Sequence, residues 1–299
     1  MLNTSLYMQF IPTVKALLAF VRRPNDLQWQ LTAKDKLKLF FYCLGFEILL
    51  TLFIIFPLLY AIDSFITLKS SAVNYHETFL YTLLWMVLFL PYIQELIFRH
   101  FLRYQGFKAR VISRAKWNRI FPALVYMSSL LFGLLHAFNY ENTGIWYFLL
   151  TPFVVLSQLI GGLIIAFVRV RLNFYWGFMM HAFWNFIFAL LLPLGYAFFT
   201  QPHIEKSPNY SITIEERPFF ESNRPQVLKI DSSAGKIFAM EVKQYGLQHL
   251  LDTLYPSQSW YVSDAFVNVN FKSGNGVSKK EFLAILQKEY DIEDAGQVR

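Results

Sequence analysis

The sequence predicts an all-α multi-spanning membrane helical bundle followed by a small C-terminal α+β soluble module. Three observations carry that reading. Of the 299 residues, 55% are hydrophobic and only 16% charged, whereas soluble chains usually carry about a quarter charged residues. Several uninterrupted apolar stretches reach the ~20 residues that cross a bilayer as a helix. Past Thr200 those stretches give way to short segments rich in β-branched and aromatic residues.

The elements follow in order. Residues 1–36 open with MLNTSLYMQFIPTVKALLAFVRRPNDLQW, apolar on one side, interrupted by Pro12 and Lys15 and ended by Arg22-Arg23-Pro24. They lack the basic start and small-residue cleavage site of a signal peptide. They read instead as an amphipathic helix at the cytoplasmic face, with Lys15, Arg22 and Arg23 at the headgroups. The membrane domain, 37–199, holds five spans at roughly 38–62, 78–98, 118–138, 145–168 and 173–199.

Orientation follows from the bases in the short loops. Lys34, Lys36 and Lys38 lie at or before the start of the first span; Arg99, Arg103, Lys108, Arg110, Arg114, Lys116 and Arg119 join the second to the third; Arg169 and Arg171 join the fourth to the fifth. The opposite loops hold Lys69 and, in NYENTG, no base at all. The N-terminus is therefore expected in the cytoplasm and the C-terminal module outside, with Arg103 a snorkelling anchor. That arrangement suits a bacterial cytoplasmic membrane.

In residues 200–299 the segments 210–217, 236–242 and 260–271 read as strands. LQHLLDTLY and SKKEFLAILQKEY read as helices, the second opened by a capping box, Ser278 with Glu281 three residues on.

Charge excludes one class of function. Residues 1–199 contain 16 Lys/Arg and 7 Asp/Glu, and residues 200–299 contain 11 and 13. The basic excess belongs to membrane loops and the soluble part is slightly acidic, so a nucleic-acid partner is not expected. The lone Cys43 excludes disulfides and Cys-based metal sites. No internal repeat marks a transporter.

Polar side chains inside the spans are costly and mark candidate sites. Gln94, Glu95 and Arg99 lie in the second span, His136 ends the third, and His181 and Asn185 lie in the fifth. Glu95 and Arg99 are spaced i, i+4 and can pair; His181 and Asn185 share that spacing. On straight helices rising 1.5 Å per residue, Gln94 lies roughly 14 Å in from Arg103 and His181 roughly 15 Å in from Arg171. His136 lies about 9 Å in from Asn142 on the other side of a ~30 Å core. A shared polar chamber is the reading, against interhelical hydrogen bonding and a neutralised Glu95–Arg99 bridge. Glu47, in the first span, is an outlier placed to face that chamber.

The stretches QELIFR, FGLLH and HAFWN, in that order on three spans, resemble the three motifs of the CPBP family of intramembrane proteases. That family includes the type II CAAX prenyl endopeptidases and the bacteriocin-processing or abortive-infection-type proteins. Its pattern is a double Glu with Arg four residues after the second, then Phe-x-x-x-His, then His-x-x-x-Asn or Asp. Glu95 and Arg99, Phe132 and His136, and His181 and Asn185 fill those positions. Gly161-Gly162 and Trp176 also resemble the family, and the likeness covers about residues 78–195.

The resemblance implies hydrolysis of a peptide bond within the bilayer. The first Glu and the second-motif His would activate a water, and the third-motif His and Asn would stabilise the oxyanion. Two His and a Glu (Glu95, His136 and His181) could alternatively hold a divalent metal such as zinc with an open position. The partners implied are the lipid bilayer and a membrane-associated peptide or protein tail. Gln94 stands where the family has its first Glu, and an amide cannot take the base role. Glu95 could substitute, though consecutive helix positions are a hundred-degree rotation apart and this predicts a rearrangement. A metal-bound water could replace it, with Gln94 orienting the water. The remaining alternative is a catalytically impaired member acting as a membrane adapter or immunity-type binding protein.

Overall fold

The computed structural model describes residues 9–70, 77–262 and 265–294. Residues 1–8 of the expected amphipathic segment, and 263–264 within the expected strand 260–271, lie outside those. The described chain divides into two compact units, 1–68 with 84–187, and 69–83 with 188–299.

Among the described residues, five helices are long and apolar enough to cross a membrane. After α1 (Phe10–Arg22) they are α2 (Ala33–Ile66), α3 (Phe79–Phe98), α5 (Arg114–Asn139), α6 (Ile145–Arg171) and α7 (Phe174–Phe199), with the short α4 (Phe107–Val111) between the second and third. All five expected spans are present. Three of them contain a wide π-type turn, at Thr51–Ile55, Thr82–Phe89 and Phe186–Leu191, and each is followed within two residues by a proline, Pro57, Pro91 or Pro193. Proline has no N–H to give and its ring crowds the preceding turn, so the helix widens there instead of breaking.

The first unit is built around α6. Leu39, Phe40 and Cys43 of α2, Trp117, Phe121 and Val125 of α5 and residues 164–168 of α6 form one buried core. Helix α5 meets α6 at Gly133, where an added Cβ would stand 2.7 Å from Leu159 Cγ. Helix α1 buries Thr13, Leu17 and Phe20, a stripe at helical spacing, and Phe20 packs edge-on to Phe167 of α6 at 5.5 Å. Its apolar stripe thus meets protein.

An extended strap, residues 24–32, holds the adjoining end of α6. Asp26 accepts two bonds from Arg114 and one from Trp117 Nε1. Trp29 N donates to the Arg171 carbonyl at 2.8 Å, and Arg171 Nη1 donates back to the carbonyls of Asn25 and Leu27. Arg103 donates to the carbonyls of Arg169, Val170 and Leu172, the unpaired groups at a helix C-terminus where a cation is favoured. This corrects the expectation for Arg103: it caps a helix.

The second unit contains a five-stranded antiparallel sheet of order β1-β2-β6-β4-β3. Its strands are β1 (His203–Lys206), β2 (Ser211–Glu216), β3 (Val227–Ser233), β4 (Lys236–Gly246) and β6 (Phe266–Ser278). A second, two-stranded sheet pairs β5 (Trp260–Val262) with β7 (Ile292–Asp294). Ile212, Phe271 and Met240 face one another across β2, β6 and β4, and helices α8 (Leu247–Leu254) and α9 (Lys279–Leu286) bury Leu250, Leu254, Phe282 and Leu286 in the same core. The capping box at Ser278 and Glu281 forms with both reciprocal bonds. The segment 260–271 divides between two sheets, correcting its reading as one strand.

Candidate active site

The second span sets the geometry. In a π-type register Pro91 would have given its N–H to the Met86 carbonyl five residues back; having none, it leaves that acceptor open. Asn185 Nδ2 of α7 donates to it at 2.8 Å. Helix α3 ends at Phe98, so Gln94 and Glu95 lie near its end, and the straight-helix depth counted from Arg103 is corrected accordingly.

Glu95 and Arg99 form the pair their spacing predicts. Arg99 Nη1 donates to Glu95 Oε1 at 2.8 Å, and the two side chains are 0% and 1% exposed. His181 Nδ1 meets the same Oε1 at 3.0 Å, bridging 86 positions of sequence. Glu95 therefore faces the fifth span without rearrangement, contrary to the expectation drawn from helix rotation, while the half-buried Gln94 joins none of these bonds. The other carboxylate oxygen of Glu95, Oε2, is buried with no hydrogen-bond partner.

His136 closes the α-helical part of α5 and opens a tight turn, His136–Asn139. Its Nδ1 lies 2.7 Å from the Phe132 carbonyl. A carbonyl only accepts, so Nδ1 carries the hydrogen and Nε2 of the neutral ring keeps its lone pair. Phe132 is the common neighbour: its ring lies edge-on to His136 at 4.7 Å and to His181 at 5.4 Å. The Arg99 guanidinium sits 3.8 Å from the ring centroid, a cation–π contact made stronger by desolvation. Ser128 Oγ donates to the Phe98 carbonyl at 2.5 Å, tying the end of α3 to α5.

The structure thus brings Glu95, Arg99 and His181 into direct contact and gathers His136 around Phe132, while Asn185 is held by Met86. Sequence reasoning missed Ser128 and the Met86 carbonyl. The only available signal for the second was Pro91 five residues on.

Glu47 is buried in α2 at 4% exposure. Its Oε1 lies 2.6 Å from where a Cβ on Gly161 would stand, and Arg99 Nη2 lies 3.2 Å from the corresponding point on Gly162. The paired glycines of α6 are therefore the notch in which a carboxylate and a guanidinium from two other spans are seated.

Of the three residues considered as zinc ligands, Glu95 uses Oε1 for Arg99 and His181, and His136 uses Nδ1 for a backbone carbonyl, which leaves Glu95 Oε2 and His136 Nε2 as their open donor atoms. Among the described residues no group of three His, Cys, Asp or Glu is arranged to hold an ion.

Residues 76–187 match the family model described as type II CAAX prenyl endopeptidase Rce1-like. No curated protein and no solved structure matches the chain.

Proposed function

We propose, from the premise that residues 76–187 belong to the Rce1-like type II CAAX prenyl endopeptidase family, that this multi-pass membrane protein hydrolyses a peptide bond in membrane-associated peptides or protein tails, with Glu95 as general base. The observation that carries this reading is the Glu95–His181 contact at 3.0 Å beside the Arg99 bond. Two donors fix the carboxylate through Oε1 and leave Oε2 to accept the proton of an attacking water. His136 orients that water through the Nε2 lone pair its bond to Phe132 preserves. Asn185 keeps one amide hydrogen beyond the bond to Met86, and with His181 it serves the oxyanion that forms as water adds to the carbonyl carbon. The orientation belongs to the same proposal: N-terminus in the cytoplasm and residues 200–299 outside, in a bacterial cytoplasmic membrane.

One observation favours a second reading, an adapter that binds a peptide or protein without cleaving it. Gln94 has no charge with which to take a proton and joins none of the site's bonds.

The two separate in a cleavage assay in liposomes, using a mixed peptide pool read by mass spectrometry. Wild type, Gln94→Glu and His136→Ala are compared. Cleavage by wild type that is lost in His136→Ala supports the protease. Cleavage by Gln94→Glu alone establishes the adapter.

A further inference from the structure

The Glu95–Arg99 pair is one-sided. Arginine and carboxylate usually meet through two parallel bonds, yet only Nη1 and Oε1 are joined here. Arg99 Nε and Nη2 are buried without partners, as is Glu95 Oε2. Something must keep the guanidinium from closing on both oxygens.

Glu47 is seated at the same glycine pair of α6 as that guanidinium. Its Oε1 occupies the space opened by Gly161 and Arg99 Nη2 the space opened by Gly162, the next residue of α6. Glu47 Oε2 is buried and unpartnered as well. Ser129 Oγ and Gln158 Oε1 are the neighbouring orphaned polar atoms, Ser129 packed against the same Gly162 and Gln158 one turn before it. A carboxyl group at 4% exposure in a span is either neutral or compensated by a cation.

We propose that Glu47 is a positioning residue of the site: it holds the Nε/Nη2 edge of Arg99 through water, and so keeps Glu95 Oε2 free for the proton. The inference rests on the hydrolytic reading for its consequence, though the Glu47–Arg99 link stands without it. Replacing Glu47 by Gln removes the competing charge; Arg99 then closes on both oxygens of Glu95 and the base is occupied. Gly161→Ala acts alike with the carboxylate intact, since the new Cβ takes the place of Glu47 Oε1.

Two measurements on the full-length protein in detergent test it. In a thermal-unfolding cycle, Glu47→Gln is expected to lower Tm in the wild-type background and to have little effect in an Arg99→Gln background. Equal shifts in both overturn the link. With a peptide that wild type cleaves, Glu47→Gln and Gly161→Ala are expected to lower kcat tenfold or more with KM unchanged, and Glu47→Asp to restore part of it. An unchanged kcat, or a change confined to KM, overturns the positioning role. Should Glu47→Gln fail to fold, Glu47→Asp takes its place in the cycle. If wild type cleaves nothing, the hydrolytic reading fails, and the cycle still decides whether Glu47 holds Arg99.

Discussion

Glu95 Oε1 accepts from Arg99 Nη1 at 2.8 Å and from His181 Nδ1 at 3.0 Å, so one oxygen of one carboxylate ties the second span to the fifth. Breaking a buried ion pair from one side leaves an uncompensated charge and costs about 3–5 kcal/mol. Glu95→Gln is expected to destabilise the protein by that order in detergent unfolding. Glu95→Gln with Arg99→Met is expected to lose less than Glu95→Gln alone. Hydrolysis falls at least about 100-fold in either, read as product per enzyme in the liposome assay.

The contact of α5 with α6 makes a packing prediction. An alanine at Gly133 places its Cβ 2.7 Å from Leu159 Cγ, and overpacking of this kind costs about 1–3 kcal/mol. Gly133→Ala is expected to lower Tm, and Leu159→Ala added to it to recover part of the loss. Additive losses in the double variant would show that the two helices do not meet there.

The strap should open locally. Asp26 is the common acceptor for Arg114 and Trp117, and hydrogen bonds to a charged group contribute about 1.5–3 kcal/mol each. Asp26→Ala is expected to speed amide exchange at Trp29, whose N–H bonds Arg171, with exchange across 117–132 unchanged. Uniform acceleration throughout would mean that the strap does not open on its own.

The second unit carries a pH signature at Glu205, Tyr210 and Lys288. The bond from Lys288, then that from Tyr210, hold the Glu205 carboxyl below its usual range, and the bond from Glu205 holds Lys288 above its own. The Glu205 contribution is present above the unfolded carboxyl pKa and lost as pH falls through the lowered folded value. The Lys288 contribution is present below the unfolded lysine value and lost as pH rises through the raised folded one. Amides of the β1–β2 pair are thus expected to lose protection as pH falls below the ordinary glutamate value of about 4.3, and Lys288→Met to lessen that change. An identical acid profile in Lys288→Met would remove the ion pair as its cause.

The five spans were legible because an apolar run of membrane length has few other uses, and Glu95–Arg99 because i, i+4 spacing is local. Other features needed the third dimension. Arg103, Arg169 and Arg171 look like headgroup-facing bases in a loop, yet α6 ends among them and the strap closes over that end. Which of Gln94 and Glu95 faces the fifth span depends on the wide turn of α3, and a straight helix misses it. Strand β3, edge-placed and largely polar on its exposed positions, lacks a strong alternating signal. Glu47 has no opposite charge within a turn of itself; its neighbour Arg99 is 52 positions away, so a sequence pattern has nothing to pair it with.

The single cysteine has a practical consequence. Cys43 is 1% exposed in the core of the first unit, out of reach of membrane-impermeant maleimides added to intact vesicles. An unmodified background therefore comes with the native chain, and a thiol placed at Lys34, Lys69, Lys108 or Glu141 would be the one that reacts. Reaction from the outer face at positions 69 and 141, and from the inner face at 34 and 108, is the pattern that matches the distribution of bases along the sequence. The reverse pattern would turn the membrane domain over.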